Sequence, residues 1–556
     1  DPQSIAGQKK FISAFASRVK NAKDVTWDLI NEPSFANPKS LWSCRPNGDE
    51  FEKAAWNEWL KTRFSETDEA RLADIISEKW RLTTGEDAFA LPANEDFEGV
   101  NIQSNRRPLR AMDFRLFAQD VFKNWAREMR ETLRQAGNLE QLVTVGQDEA
   151  GTGDSPSPQF HFDAVDLTCL HNWWSNDDLL WDNVVSKSPS KPNLVEETGV
   201  MSYEKLDGSA WRTEQEVAAL LERKMALSLG ANACGFIEWI WDTNPYMNID
   251  NEAGIGFHRV DGTAKPELAS FKKIAKFAGD NRKYFRGKTD EKTLLVLPHS
   301  YQFMTRSLAG DATKRAVRAF HYYCRQTLRA VSEYNVDEIV TEVEVPKLVV
   351  VPAPRVLTDN AWQNLVELAR KGAVIAITGC FSDDEYLVAR PRHVELGLNA
   401  PISAKPVSQT ETVAIGGKQF RVRFAGEKME RLEKADIADN KIVMAKIGSG
   451  KIVWCPLPLE LGENIEPAAA FYYLVLSQAG VAPTFSLADD NPAILVRPTE
   501  FNDAVLYTIV SESGRDEDVR LTHLPTKTSV AFQLPAERTN LIFIDKRTGE
   551  ILSRMI

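Results

Sequence analysis

The strongest constraint on the fold is a rhythm in the first half of the chain. Short, nearly continuous apolar runs alternate with stretches whose apolar residues recur at helical spacing. Residues 7–24 set Phe11, Phe15 and Val19 on one helical face, and "VTWDLI" (25–30) then reads as a buried strand. "QLVTVG" (141–146), "AVDLTCLHNW" (164–173), "NLVEETG" (193–199) and "NACGFIEWIW" (232–241) repeat the strand pattern, with helical stretches such as 214–229 between them. Strands that are apolar along their whole length and are joined through helices imply a parallel sheet covered on both faces. The expected class is α/β.

Two changes of texture divide the chain. Of its 14 tryptophans, 12 precede residue 282, which marks the first region as 1–282. Within it, residues 36–138 interrupt the rhythm with long amphipathic helices and read as a helical insertion between two strands. From 283 to 485, strands "KTLLVLP", "KLVVVPAP", "GAVIAITG" and "GKIVWCPLP" alternate with expected helices at 312–335, 358–371 and 466–480. That is a doubly wound α/β unit, with a β-rich excursion over 401–448. Short strands at turn-separated spacing over 486–556 suggest a small C-terminal β-sandwich.

With 556 residues, the chain is too long for one core, and its net charge of −12 argues against nucleic acid or an anionic membrane surface as a partner. No apolar run is long enough to cross a bilayer. The six cysteines (44, 169, 234, 324, 380, 455) are scattered without a C-x-x-C pair, so neither a zinc site nor a disulfide framework is signalled. The chain opens on Asp1-Pro2, without an initiator Met or a signal peptide, and localisation is not readable between cytoplasm, periplasm and secretion.

Polar residues at the C-terminal ends of parallel-barrel strands are where active sites are built. Glu32 ends one expected strand and Glu197 another. A glycosidase needs one carboxyl to protonate the leaving oxygen and a second carboxylate to attack or to activate water. Singly, each glutamate has a plainer reading: Glu32 as an N-cap, Glu197 beside Glu196 as part of a solvated turn. The pair with its flanking residues is more specific.

"WDLINEPS" resembles the fourth-strand signature of clan A glycoside hydrolases, retaining glycosidases built on a (β/α)8 barrel, and "LVEETG" resembles their seventh-strand E-x-G signature. The resemblance implies Glu32 as acid/base, Glu197 as nucleophile and Asn31 as a ligand of the sugar 2-hydroxyl. Glu196 should then point to the opposite side of its strand. "VDLTCLHNW" occupies the sixth-strand place, where the clan often carries H-x-Y. Here the residues are His171, Asn172 and Trp173, so His171 and Trp173 carry over as sugar-binding residues, the tyrosine that usually touches the nucleophile is absent, and Tyr246 is the candidate substitute. "GFIEWIWDTN" occupies the eighth-strand place, with Trp239 and Trp241 as candidate sugar platforms beside Trp173 and Trp174. Core packing is the plainer reading for any one of these rings. Asp148, Glu149 and Glu238 are spare carboxylates, read as hydroxyl acceptors or structural pairs.

The text of 110–137 and of 254–278 is similar to the helical insertion and the last barrel helix of family 42 β-galactosidases, although the glutamate motifs read more like family 5. The layout of that family implies an amidotransferase-like middle domain that makes trimers, followed by a small β domain. The cysteine cluster that holds zinc in some members is missing, since Cys44 stands alone, and neither a metal nor any other cofactor is expected. Cys380 lacks the amidotransferase nucleophile's surroundings and reads as a buried structural thiol. Only barrel strands four to eight can be assigned, so an upstream segment of roughly a hundred residues, carrying strands one to three, is expected.

These readings converge on a retaining β-glycosidase working by double displacement on an oligo- or polysaccharide or other β-glycoside, exo-acting and β-galactosidase-like, and assembled as a homotrimer. One rival is a family 5-type β-mannanase, glucanase, β-glucosidase or mannosidase. The other, from a different class, is a non-catalytic carbohydrate-binding barrel.

Overall fold

The structure, a computed structural model, describes residues 1–35, 43–97, 107–148, 154–172, 176–188, 190–200, 205–207, 209–247, 252, 254–305, 307–426, 428–489 and 491–555. Two compact units account for it. One comprises residues 1–168, 295–315 and 330–468; the other comprises 169–294, 316–329 and 469–556.

In the first unit, the helix Pro2–Val19 starts on Asp1, whose side chain accepts the backbone N–H of Gln3. Strand β1 (Thr26–Asn31) follows and pairs in parallel with β2 (Leu142–Gly146). Between them runs the helix Arg107–Ala136. Ala16, Leu133 and Val143 are buried together, with Trp27 and Leu29 packed against them. β1 was expected to be buried on both faces. Instead Trp27 and Leu29 face the helices while Thr26, Asp28 and Ile30 are exposed, because the apolar run is broken by Asp28 and alternates like a one-sided strand.

The insertion is held by an aromatic cluster. Trp56 lies 5.3 Å from Trp59, 5.9 Å from Trp80 and 5.3 Å from Phe117, centroid to centroid. The helices that supply the three tryptophans, Glu50–Phe64 and Glu69–Trp80, are capped by Asp49 and Asp68, and each ends on a left-handed residue, Ser65 and Arg81. Buried Asp113 accepts hydrogen bonds from Trp80 Nε1 (2.7 Å), Arg63 Nε (3.2 Å) and the Tyr386 hydroxyl (3.1 Å), so one carboxylate ties three helices of the insertion to the 380s loop.

A six-stranded sheet has the order Val443–Ile447, Gly450–Cys455, Val374–Thr378, Leu348–Val351, Thr293–Leu297, Arg329–Ser332. Val374–Thr378 pairs in parallel with both Gly450–Cys455 and Leu348–Val351, and the Val443–Ile447 edge is antiparallel. Arg329–Ser332 corrects the expected helix at 312–335. The helix Ser307–Arg318 closes through a π-turn at Ala319–Tyr323, Arg325 takes a left-handed φ of 55°, and the following "RAVS" is buried at every position as an edge strand. Within 401–448 lie the antiparallel pairs Ala404–Pro406 with Glu433–Ala435 and Thr410–Ile415 with Lys418–Arg423.

In the second unit, β3 (Thr168–Asn172), β4 (Asn193–Thr198) and β5 (Ala233–Glu238) form one sheet in that order, with β4 and β5 parallel. The helix Glu214–Gly230 enters through a capping box of Thr213 and Glu216. Its apolar side shares a core with the helix Pro266–Asp280 and with Leu506, Leu541 and Phe543 of the C-terminal strands. Those strands form a three-stranded sheet (Phe485–Leu487, Glu517–His523, Thr528–Leu534) and a four-stranded sheet (Ile494–Glu500, Ala504–Ser511, Thr539–Asp545, Ile551–Arg554). The two share the apolar cluster of Val496, Ile509, Val519, Leu521 and Ile542. Gly230 sits where a Cβ would meet Thr508 Oγ1 at 2.5 Å, so no larger residue fits there without displacement. Glu222, fully buried, accepts the backbone N–H and the hydroxyl of Thr539 and pairs with Arg538.

Candidate active site

Asn31 and Glu32 stand where β1 ends. Asp28 Oδ1 accepts the backbone N–H groups of Ile30 and Gly146, and the Glu32 N–H donates to Gly146 O at 2.7 Å. The pairing register shifts between Asp28 and Asn31, and Glu32 takes a left-handed φ of 43°. A glutamate rarely adopts that conformation, which costs on the order of 1–3 kcal/mol and recurs at functional sites. The tight turn also requires Gly146, since a Cβ there would lie 2.7 Å from Asp28 Oδ2. Glu32 is half-buried and Asn31 exposed. The side chain of Glu32 therefore leaves the strand end in a direction set by strained backbone, not by strand alternation.

His171, Glu196 and Glu197 form the other cluster, in the second unit. His171 on β3 is 1% exposed. Its Nδ1 lies 3.3 Å from Glu197 Oε2 and its Nε2 lies 3.8 Å from Glu196 Oε2. The Cys169 thiol donates to that same Glu196 oxygen at 2.8 Å. Strict alternation predicts that Glu196 turns away from the site. The register of β4 against β5 shifts between Val195 and Thr198, and both neighbouring carboxylates reach the same imidazole, one at each nitrogen.

The strand ends around this cluster are fixed by one buried ammonium. Lys224 Nζ donates to Asn172 O (2.9 Å) and to Gly199 O (2.6 Å), while Thr198 Oγ1 donates to Asn172 O at 2.9 Å. Asn172 Nδ2 donates to Asp182 Oδ2 at 2.6 Å. Lys224 was not singled out from sequence. The available signal was the charged triplet Glu222-Arg223-Lys224 inside a run, Val217–Gly230, whose other positions are apolar or small on every side. Glu238, at the end of β5, has its carboxyl pushed well above the usual range by burial, an effect that Lys224 opposes. That favours a neutral acid there over a charged hydroxyl acceptor.

The tryptophans are placed as follows. The Trp239 backbone N–H donates to Thr198 O at 2.8 Å, and its ring is 37% exposed. Trp241 is 62% exposed and packs at 4.9 Å from the His258 ring and edge-on to Phe257. Such partly exposed, braced indoles suit stacking on an apolar sugar face. Tyr246 is 89% exposed in a turn, its N–H donating to Asn244 Oδ1, whereas His171 lies in hydrogen-bond range of Glu197. Trp173, Trp174 and Glu149 lie outside the described residues. Cys44 is fully buried and its thiol is pushed up to about 12 by burial. Cys380 is also buried, 3.4 Å from the Ser382 hydroxyl.

No family model matches the sequence, and no curated protein matches it either. Solved structures do match. The β-galactosidase of Bacillus circulans sp. alkalophilus superposes with a TM-score of 0.74 at 12% identity, over 98% of this chain and 82% of that one. Gan42B, a GH42 β-galactosidase from G. stearothermophilus, gives 0.72 at 11%, over 98% and 82%. A GH42 exo-carrageenase from Bacteroides ovatus gives 0.64 at 12%, over 98% and 70%. At such identities the likeness establishes a shared fold: α/β, of the kind in which a TIM barrel is joined to additional domains.

Proposed function

We propose that this chain is a family 42-like retaining glycoside hydrolase, exo-acting on β-galactosides or closely related sugars. The observation that carries the reading is the pairing of Glu197 with His171 at the end of β4, in a chain whose fold is that of family 42 β-galactosidases. Glu32, at the strained end of β1, is the second carboxyl that the chemistry requires.

The reaction runs in two balanced steps. The Glu197 carboxylate forms a bond to the anomeric carbon as the bond from that carbon to the glycosidic oxygen breaks, and protonated Glu32 gives its proton to the departing oxygen. The product is a glycosyl ester on Glu197. Glu32, now a carboxylate, takes a proton from water; the water oxygen bonds to the anomeric carbon and Glu197 leaves as a carboxylate. Retention requires the two carboxyl groups to lie about 5–5.5 Å apart across the sugar. Asn31 is assigned to the 2-hydroxyl, Trp239 and Trp241 to the sugar face. The doubly wound sheet, which carries no evident chemistry, is assigned to subunit contacts in a homotrimer.

Hydrolysis of a panel of p-nitrophenyl β-glycosides tests the reading, with the anomer released first followed by NMR. Release of β-galactose from the β-galactoside supports it. Cleavage of the mannoside or glucoside alone would transfer the chain to a family 5-type specificity. No cleavage of any of these or of carrageenan oligosaccharides would leave a binding barrel.

A further inference from the structure

We propose that the second unit holds a binding site for a tetrahedral oxyanion, a phosphate or sulfate group, in the cleft where residues 288–293 run beside the end of the strand Ile494–Glu500. The inference goes beyond the glycosidase reading and does not depend on it. Its mark in the sequence is "KTDEKT" (288–293), where the pair Lys-Thr recurs after four residues. The Thr289 backbone N–H donates to Glu500 O at 2.9 Å and lays this segment along the strand, and both Lys-Thr pairs line the cleft. Gln326 and Thr327 belong to the same lining.

Charge is the first argument. Lys288 Nζ lies 2.7 Å from Glu291 Oε2, and Arg497 Nη2 lies 3.6 Å from Glu291 Oε1. Lys187 is a third cation acting on the same carboxyl. Burial alone would raise Glu291, yet these cations hold it down at about 2. Of the other carboxylates on the lining, Glu500 pairs with Lys546 at 3.2 Å, and the Asp290 side chain is 64% exposed, 3.9 Å from Lys288. Lys292 has no carboxylate partner among the described residues. Lys187, Lys288, Lys292, Arg497 and Lys546 thus outnumber the carboxylates on or beside the cleft, in a chain whose net charge is −12. Lys187 responds to the excess: it is lowered to about 8, by burial first and by the Lys288 charge next. An anion in the cleft relieves that repulsion.

Donors and size are the second argument. Thr293 is 1% exposed, and its hydroxyl has no hydrogen-bond partner among the described residues. A buried hydroxyl left in that condition is costly, and an acceptor oxygen in the cleft would satisfy it. The cleft encloses about 50 Å³. At roughly 10–15 Å³ for each water-sized centre it takes about three to five such groups, which suits the oxygens of a phosphate or sulfate and not a whole hexose. Among the described residues no aromatic side chain lines it, so it offers no platform for a sugar face. Its mouth is open to solvent, and the group it takes is therefore either a free ion or the ester end of a larger sugar.

The test is calorimetric titration of the whole protein with inorganic phosphate, inorganic sulfate, galactose 6-phosphate and galactose 6-sulfate. Galactose, and sodium chloride at matched ionic strength, are the controls. Saturable binding of at least one oxyanion, absent with both controls, is expected. Lys292→Gln removes an exposed charge, and Thr293→Val replaces an unpartnered hydroxyl by a methyl of the same shape. Both variants should unfold like the parent without added anion and bind roughly tenfold more weakly, as loss of one charge-assisted contact would give.

Tighter binding of the esters supports the site and makes a sugar ester its ligand; equal or tighter binding of the inorganic ions supports it and makes the free ion the ligand. No saturable binding, or one affinity shared by the parent and both variants, would overturn the proposal. A failed p-nitrophenyl glycoside panel would leave this result as it stands.

Discussion

The imidazole of His171 and the carboxylate of Glu197 meet at 3.3 Å, Nδ1 to Oε2, from neighbouring strands β3 and β4. Sequence reasoning offered Tyr246 for the place beside Glu197, because the tyrosine of the resembling signature is missing. The structure puts the histidine there. Binding of sugar by His171, the role expected of it, is a separate matter from this contact with Glu197.

Roles of the two glutamates can be separated by rescue. Glu197→Ala should lower kcat by several orders of magnitude, and azide should restore turnover with inverted product. Glu32→Ala should spare substrates with good leaving groups and lose far more, on the order of a hundredfold or greater, on poor ones. Equal losses across leaving groups, read from kcat/KM, would remove Glu32 from the acid role.

Asp113 should be a stability position far from any chemistry. Asp113→Ala strands the Trp80 indole N–H, the Arg63 guanidinium and the Tyr386 hydroxyl in a buried setting. Breaking such a pair from one side costs about 3–5 kcal/mol. Thermal unfolding of the variant should begin well below that of the parent, and an unchanged melting profile would show that the network is not needed.

Acid lability should trace in part to His299. This ring is fully buried against Ser332 Oγ at 2.8 Å, and burial holds its pKa down at about 3, against an ordinary 6.5. The unfolded chain therefore takes up a proton that the folded one refuses. Stability from this site is whole above pH 6.5 and is lost progressively as the pH falls toward 3. Denaturant melts at pH 7 and pH 5 should show a smaller loss for His299→Gln than for the parent; parallel losses would assign the lability elsewhere.

Assembly is directly measurable. Light scattering at micromolar concentration should give three times the mass of the chain, with an interface above about 1,000 Å². A monomer with full activity would remove the trimer and any shared wall of the sugar site.

That Glu32 and Glu197 stand at strand ends was legible, because an apolar run that stops on a carboxylate advertises itself in a linear text. Glu196 was not, because strict alternation sends it away from its neighbour, and a register shift in β4 cannot be read from residue types. Lys224 was hidden for a different reason: a charge within a helix reads as solvated until the helix is seen to be enclosed. The edge strand Arg329–Ser332 was lost to a helical pattern that ran on past its true end, where the left-handed turn at Arg325 carries no glycine to announce it. One-sided exposure of β1 was visible in its own Asp28 and was outvoted by the residues around it.

The fastening of the helix Glu214–Gly230 has a bearing on how the chain tolerates change. Glu222, one turn into its buried stretch, is held by Thr539 and Arg538, and its terminal carbonyl at Gly230 accepts from Arg497 Nε. Between those anchors sits Lys224, which pins the ends of β3 and β4. The last seventy or so residues are thus a keystone and not an ornament. Deleting them, or swapping them for another tail in a chimaera, would free the helix at both moorings and let the histidine and the two glutamates drift. Engineers seeking a shorter version of this protein should cut elsewhere.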